Sequence, residues 1–517
     1  MNYLKKHKFI LIIVVVTIIR FLLSYRLPSF YIANLGYDDA LMIRMMKKIL
    51  DGQYLGLYNN IILTKGIVFP LLISIIKYIN INYSIVFTIL HIGGCLLLTN
   101  SLKSNINNKV YLVIIYIILL FNPVSYSSEL FQRLYRTSLS VTELLFFLSF
   151  IIRIINDKGN IIFNYLMLGF MISIMLLTRE DTIWVMIIYG LLIIFKSIKK
   201  HKLKHILVYF IPCLILFLSL NIYSMINKKY YDIYTYNELK DSSFKDFYVR
   251  LKSIKDDNKK YRVSVTKRML YKLCDESKTF GFERRDIDMY YENYKIDDEI
   301  ENNNIIWYLR NMIYVKFQLL NGKDANEYFR KLADEMDVLF KEGKLEKQLI
   351  IPSVNLNTLS IYYLKDWVIN ILKTVSYTTS YKDIKTFDEF KENIDIKYDD
   401  AANAYSVMFL DRYGTANIIN NNHFIYEFFR IIYRYFTIVF SIFSVYAFFK
   451  NVTSRNKNSL ILLIILMIYG VIILGVSYTH TTSFNAIRYI YLGDVYILQS
   501  LFIMLNIYIF FTTKKYV

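Results

Sequence analysis

Acidic residues are nearly missing from most of this chain. Outside a polar stretch running from Asn227 to Phe424 there are ten, Asp38, Asp39, Asp51, Glu129, Glu143, Asp157, Glu180, Asp181, Glu427 and Asp494, set among thirty Lys and Arg. The polar stretch carries 32 acidic and 32 basic residues, so the net charge of +20 resides wholly outside it. Cysteine is also sparse. Cys95, Cys213 and Cys274 are odd in number and the first two lie inside apolar segments, which argues against a disulfide framework or a cysteine metal cluster. Proline and glycine are scarce in the polar stretch while tyrosine is frequent, a composition unlike that of a disordered linker. No repeat of about 20 to 50 residues is visible. The tetrad YDDA occurs at Tyr37 and again at Tyr398, a coincidence to be expected in an Asp- and Tyr-rich region.

What the chain has is apolar sequence: 55% of it is hydrophobic and 17% aromatic, in runs of roughly 20 residues that are long enough to cross a bilayer. The positive charge sits in the loops between these runs, where it orients a membrane protein against anionic lipid, and nucleic acid is not an expected partner. Lys5, Lys6 and Lys8 precede an apolar run to Leu23 that is longer than a signal-peptide core, is interrupted by Arg20 and is followed by no small-x-small cleavage site. It reads as a retained first span.

Loop charge places the N-terminus and the loop Lys196–His205 in the cytoplasm. Between these anchors lie seven apolar segments, at about 9–27, 61–79, 84–100, 110–122, 139–155, 161–178 and 182–195. Seven crossings cannot return the chain to the side it left. The weakest segment, 61–79, carries Lys65, Pro70 and Lys77 and is expected to be re-entrant or interfacial. Further spans at about 206–226, 426–449, 459–478 and 488–512 bring the total to ten and leave Arg455, Lys457, Lys514 and Lys515 inside. On this scheme both termini are cytoplasmic, loops 28–83, 123–138 and 178–182 face outward with the polar stretch, and nine of the ten acids, all but Asp157, lie on or near the outer face.

The expectation is an all-α polytopic membrane protein in three parts: spans in 1–226, an extracytoplasmic and mainly helical domain in 227–424, and spans in 425–517. Within the middle part, Asp324–Lys341 places Phe329, Leu332, Ala333, Met336 and Phe340 on one helical face, with Gly343 as a stop.

The first outer loop carries the most specific pattern. Gly36-Tyr37-Asp38-Asp39-Ala40 opens an amphipathic helix to Leu50, with acids in the first turn that suit the helix dipole; by itself it also reads as an ordinary interfacial helix. With Thr64-Lys65 and Pro70 following, DDALMIRMMKKILDGQYLG resembles the first external loop of membrane glycosyltransferases of the GT-C fold, such as the protein O-mannosyltransferases and bacterial aminoarabinose transferases. The resemblance covers roughly the first 200 and last 40 residues. It implies a GT-C-like bundle of about ten spans plus the re-entrant segment, in a bacterial plasma membrane. It also implies transfer of a sugar from a polyprenyl-phosphate donor to a glycan, lipid or protein acceptor at the outer face.

The resemblance makes Asp38 the base, with Asp39 beside it. Lys65 becomes a phosphate contact, although Gly66 follows it where the family has proline. Glu143 matches the acid of the second external loop, Arg179 a Thr-Arg step between spans, and Arg488-Tyr489 a pair opening the last span. Chemistry agrees: transfer needs a base for the acceptor hydroxyl and cations for the leaving phosphate, roles that suit Asp38 or Glu143 and Lys65, Arg136, Arg179 or Arg488. Asp38 and Glu143 could equally ligate a divalent metal ion. Simpler roles compete: interfacial snorkelling for Arg133, a knot of Glu180 and Asp181 with Arg179, a packing role for His91, structural roles for Glu427 and Asp494. The loop His480–Ser483 is a weak candidate for a sugar site. A lipid-linked-sugar flippase and a polysaccharide polymerase or ligase using a pyrophosphate-linked donor remain open.

Overall fold

The computed structural model describes the chain apart from residues 1, 26, 33–37, 200–206, 258–260, 294–295, 297–298, 382–383, 385–406, 410–422, 454–457 and 514–517. Gly36-Tyr37, most of the basic loop 196–205, the second YDDA at 398–401, and Arg455, Lys457, Lys514 and Lys515 lie outside the described residues.

The chain is mainly helical. In order come α1 (Asn2–Ser24), α2 (Asp38–Leu50), α3 (Val68–Ile79), α4 (Tyr83–Ser101), α5 (Lys109–Leu120), α6 (Thr137–Ile155), α7 (Ile161–Thr178), α8 (Trp184–Lys199) and α9 (Ile211–Tyr231). There follow α10 (Ser243–Lys252), α11 (Lys267–Glu276), α12 (Arg284–Asn293), α13 (Asn302–Lys316), α14 (Gly322–Lys341), α15 (Leu364–Ser380), α16 (His423–Thr453), α17 (Ser459–Thr482) and α18 (Tyr489–Thr513). Two short strands, β1 (Phe30–Ile32) and β2 (Val407–Phe409), pair antiparallel with Tyr31 opposite Met408.

Among the described residues, seven helices are long and apolar enough to cross a membrane: 83–104, 137–155, 161–178, 207–231, 424–451, 459–482 and 489–512. The segment expected at 61–79 is interrupted, with a 3-10 turn at Ile62–Thr64, extended backbone at Lys65 and only then α3. Its 12 residues rise about 18 Å, well short of a hydrocarbon core of about 30 Å. Helix α5 is equally short but packs between α1, α4 and α18. Its end is fixed by Arg20, a fully buried guanidinium that donates to the carbonyls of Leu120 (3.1 Å) and Ser125 (2.5 Å). A charge at that depth persists because carbonyl oxygens replace its water.

The two ends of the bundle differ in chemistry. At one, Asn105 donates to Asn156 (3.2 Å) and Asn458 (2.7 Å), and Lys196 pairs with Asp157 at 3.0 Å. At the other lie Asp38, Asp39, Glu129, Glu180 and Asp181 with their cations. The acids outside the polar stretch therefore segregate much as their sequence positions suggest.

Helices α10 to α14 form a cap in which Phe244 and Phe247 of α10 meet Phe329 of α14, in a core continuous with that of the first loop. Asn321 caps α14 by accepting from Asp324 N at 2.8 Å. The buried face is Phe329, Leu332, Ala333, Met336 and Leu339, so Phe340 sits at the rim and Leu339 takes the inward place expected for it. A buried Arg310–Glu238 pair, shared with Tyr58 and Tyr314, fastens the cap to the first loop. Beside it, Glu238 N donates to Leu63 O (3.0 Å) and Asn237 Nδ2 to Thr64 O (3.0 Å). Helix α15, expected in the same domain, packs against α17 and α18 instead.

Candidate functional site

The first loop is pinned before it reaches α2. Phe30 bridges in parallel to Arg133, and Leu134 N donates to Phe30 O at 2.7 Å. That register brings Arg133 onto Asp39, where Nε meets Oδ2 and Nη2 meets Oδ1, both at 2.6 Å, while Ile32 N donates to Oδ2 at 3.1 Å. Asp39 is 0% exposed. Both its oxygens are thus committed, and a planar fork on a carboxylate is the geometry that best survives desolvation. Asp39, expected beside the base, is sealed in this pair, and Arg133 is its buried partner rather than a snorkelling side chain.

Asp38 points the other way, with its side chain 31% exposed. Oδ2 lies 2.9 Å from Lys65 Nζ and 3.1 Å from Arg136 Nη2, and it accepts from Tyr135 Oη at 3.1 Å. Glu180 closes the figure, 2.5 Å from Arg136 Nη1 and 4.0 Å from Lys65 Nζ. Two carboxylates and two cations therefore alternate. Burial raises the Asp38 pKa, but Lys65 and then Arg136 outweigh it and hold the carboxyl well below its usual range. The Tyr135 hydroxyl, buried and facing that carboxylate, is pushed up to about 12 and stays a donor.

Close packing sets these positions. A Cβ on Gly66 would lie 1.8 Å from Leu177 O at the end of α7, so the residue after Lys65 has no room for a side chain. The cap supplies Trp307, whose ring lies 5.2 Å from Lys65 Nζ.

Arg179, in the turn between α7 and α8, pairs with Asp181 at 2.5 and 3.0 Å. Only half of the expected knot forms, because Glu180 turns to Arg136. Glu143 lies within α6, about 10 Å beyond Arg136 by helix rise. It accepts from Thr178 Oγ1 at 2.5 Å while its Oε2, like Asp494 Oδ1, is buried without a hydrogen-bond partner among the described residues. It is a carboxyl inside the bundle rather than a member of the outer cluster. Arg488 is exposed and, among the described residues, makes no side-chain ion pair. Tyr489 has no hydrogen bond to the cluster among the described residues, and its backbone N donates to Tyr377 Oη at 3.2 Å. Tyr491 is the residue of that segment within electrostatic reach of Asp38 and Lys65.

The corner His480–Ser483, the weak candidate for a sugar site, is tied to neighbouring elements through its backbone carbonyls. Asn357 Nδ2 donates to Thr482 O (2.9 Å), and Arg262 Nε to His480 O (2.8 Å). His91 contacts Leu119 O (3.3 Å) and Cys95 (3.6 Å), and Glu427 pairs with Arg430 at 2.6 Å. A divalent ion fits poorly at the expected ligands. Asp38 is engaged by two cations, and among the described residues no three His, Cys, Asp or Glu side chains come together. Glu180, Tyr135, Trp307 and Tyr491 join the site beyond expectation; Glu180 alone had a signal, as an acid in a tight turn between apolar runs. No family model, no curated protein and no solved structure matches the chain.

Proposed function

We propose that the protein is a GT-C-like membrane glycosyltransferase that moves a sugar from a polyprenyl-phosphate donor to an acceptor at the outer face of a plasma membrane, within a bundle of about ten spans. One observation carries the reading: a partly exposed Asp38 carboxylate held between Lys65 and Arg136, with Glu180 as their second counter-ion. This is a base and two phosphate-binding cations within one side-chain length of each other.

In the resting arrangement Asp38 is a weak base because its cations stabilise the charged form. An incoming phosphate competes for Lys65 and Arg136, and as they turn to it the carboxylate gains basicity. The coupling ties proton removal to donor occupancy. Asp38 then takes the proton of the acceptor hydroxyl as that oxygen bonds to the sugar carbon. The carbon–phosphate-oxygen bond breaks, and the electron pair leaves with the phosphate, whose added charge Lys65 and Arg136 meet. Tyr135 keeps the Asp38 carboxylate aimed, and Asp39–Arg133 holds the start of α2. The acceptor, whether glycan, lipid or protein, enters beside the cap. Transfer of labelled sugar from a polyprenyl-phosphate donor by purified protein in nanodiscs tests the proposal. Its absence with all common donor sugars would reject it.

A further inference from the structure

Helix α9 belongs to a candidate span of 25 residues, Leu207–Tyr231. These rise about 37 Å and outrun a hydrocarbon core of about 30 Å by more than one turn. Lys204 and His205 precede the span in the sequence and set its inner boundary, so the excess falls at the outer end, at Lys228, Lys229, Tyr230 and Tyr231. Up to that end one stripe of the helix lies open. Leu214, Leu218 and Ile222, one turn apart, are 56%, 47% and 57% exposed, and Tyr230, two turns further on, is 52% exposed. A stripe this apolar on a span faces lipid, and a tyrosine closing it stands at headgroup depth.

Three segments converge on this last turn. The first loop reaches it through Tyr54, whose ring stacks on Tyr230 at 4.5 Å and whose hydroxyl donates to Asn227 Oδ1 at 2.7 Å. One turn of chain later, Gly56 O accepts from Tyr231 Oη at 2.9 Å. The cap reaches it at Gly322, where a Cβ would lie 2.6 Å from Tyr231 O. The chain leaving α9 does not climb away from the membrane either. It turns at Asp232, with a φ of 58°, and runs back along the helix: Thr235 O accepts from Asn227 Nδ2 at 2.7 Å, and the Tyr234 hydroxyl donates to Asn221, ten residues before the helix ends. The base of the cap is therefore level with the outer end of the span. Two leucines on that base stand clear of the protein. Leu57, next to Gly56, is 88% exposed, and Leu320, two residues before Gly322, is 76% exposed.

We propose that this rim of the cap docks on the outer leaflet, with Leu57 and Leu320 entering the headgroup region beside Tyr230. The occupant of the surface is lipid, because the surface continues the open stripe of α9 at the depth where that stripe meets the headgroups. Leu320 closely follows α13, the helix that carries Trp307 to Lys65, so the contact sets the height of the cap above the Asp38 cluster. The inference concerns where the cap rests and stands independently of the transfer reading.

The test uses the full chain in phosphatidylcholine nanodiscs, made with and without phosphatidylcholine that carries a doxyl quencher on its acyl chain near the headgroup. Cys213 and Cys274 are first replaced with alanine, and Cys95, which is sealed, is kept. A bimane fluorophore is then attached at Leu57→Cys or Leu320→Cys. Ile222→Cys, on the open stripe of α9, gives the lipid reference, and Glu342→Cys, at the far end of α14 from Gly322, gives the aqueous one. Because the protein itself leaves Leu57 and Leu320 open, quenching there reports lipid, and unchanged melting in detergent shows that the variants are folded. Emission at both sites should fall nearly as much as at Ile222→Cys and several-fold more than at Glu342→Cys. A loss at both no greater than at Glu342→Cys overturns the docking. Such a low loss together with disulfides between copies of Leu57→Cys would give the surface to a second copy of the chain instead.

Discussion

Replacing Asp38 with asparagine tests the core of the proposed chemistry. The amide keeps the shape of the carboxylate and can still accept from Tyr135, but it removes the negative charge 2.9 Å from Lys65 and 3.1 Å from Arg136. Glu180 is then left to balance two cations. General-base catalysis contributes about 10² to 10⁴ in rate, so kcat should fall by that order. Donor affinity should hold or rise, because both cations become freer for phosphate. The stability cost is smaller than for a sealed pair, since the carboxylate is 31% exposed. About 1–2 kcal/mol lies between the values typical of surface and of buried pairs.

The pH dependence has a definite sign. A carboxyl with a depressed folded-state pKa contributes stability that is fully present above its unfolded value of about 3.9 and is lost as pH falls through the folded value. The melting gap between wild type and Asp38→Asn should therefore be constant from pH 7 to about 5 and close only below about 4. For the same reason kcat/KM of the wild type should show no acidic limb from Asp38 above about pH 4. Single-turnover transfer from labelled donor, with parallel melting curves, measures each quantity. Near-normal transfer by Asp38→Asn would refute the base assignment and leave Asp38 as a helix-start and ion-pair residue.

Three further outcomes follow from the same geometry. Arg133→Ala leaves the fully buried Asp39 charge without its fork, at a cost of about 3–5 kcal/mol, and should be read as a marked loss of folded protein in detergent by size-exclusion profile and melting. Gly66→Ala must displace backbone, because its Cβ would sit 1.8 Å from Leu177 O. Its displacement of Lys65 should raise the KM for donor, and unaltered KM and melting would show that the contact is not maintained. Cysteines placed at Val368 and Leu372 should react poorly with an impermeant thiol reagent, whereas rapid aqueous labelling at both would place α15 outside the bilayer.

Composition and pattern were enough for the helical membrane class, the interruption near Lys65, the amphipathic α14 and the prominence of Asp38, because these depend on local properties: run length, helical period, and the rarity of acids among apolar runs. The sequence also marked Arg136 and Arg179 as cations at the ends of spans. Partner choice was not legible. Two adjacent carboxylates, Asp38 and Asp39, look equivalent in the chain, yet they lie 100° apart around a helix. The bridge from Phe30 to Arg133 decides which one is sealed and which is open. In the same way Glu180 and Asp181 separate to different arginines. The period of α15 did not reveal that it enters the bundle, because only its contacts with α17 and α18 distinguish a buried polar stripe from a wetted one. Trp307 reaches Lys65 across hundreds of residues. Which charge meets which is set by long-range packing, where a Coulomb interaction that falls with distance and burial depends on tertiary coordinates that no local window of sequence contains.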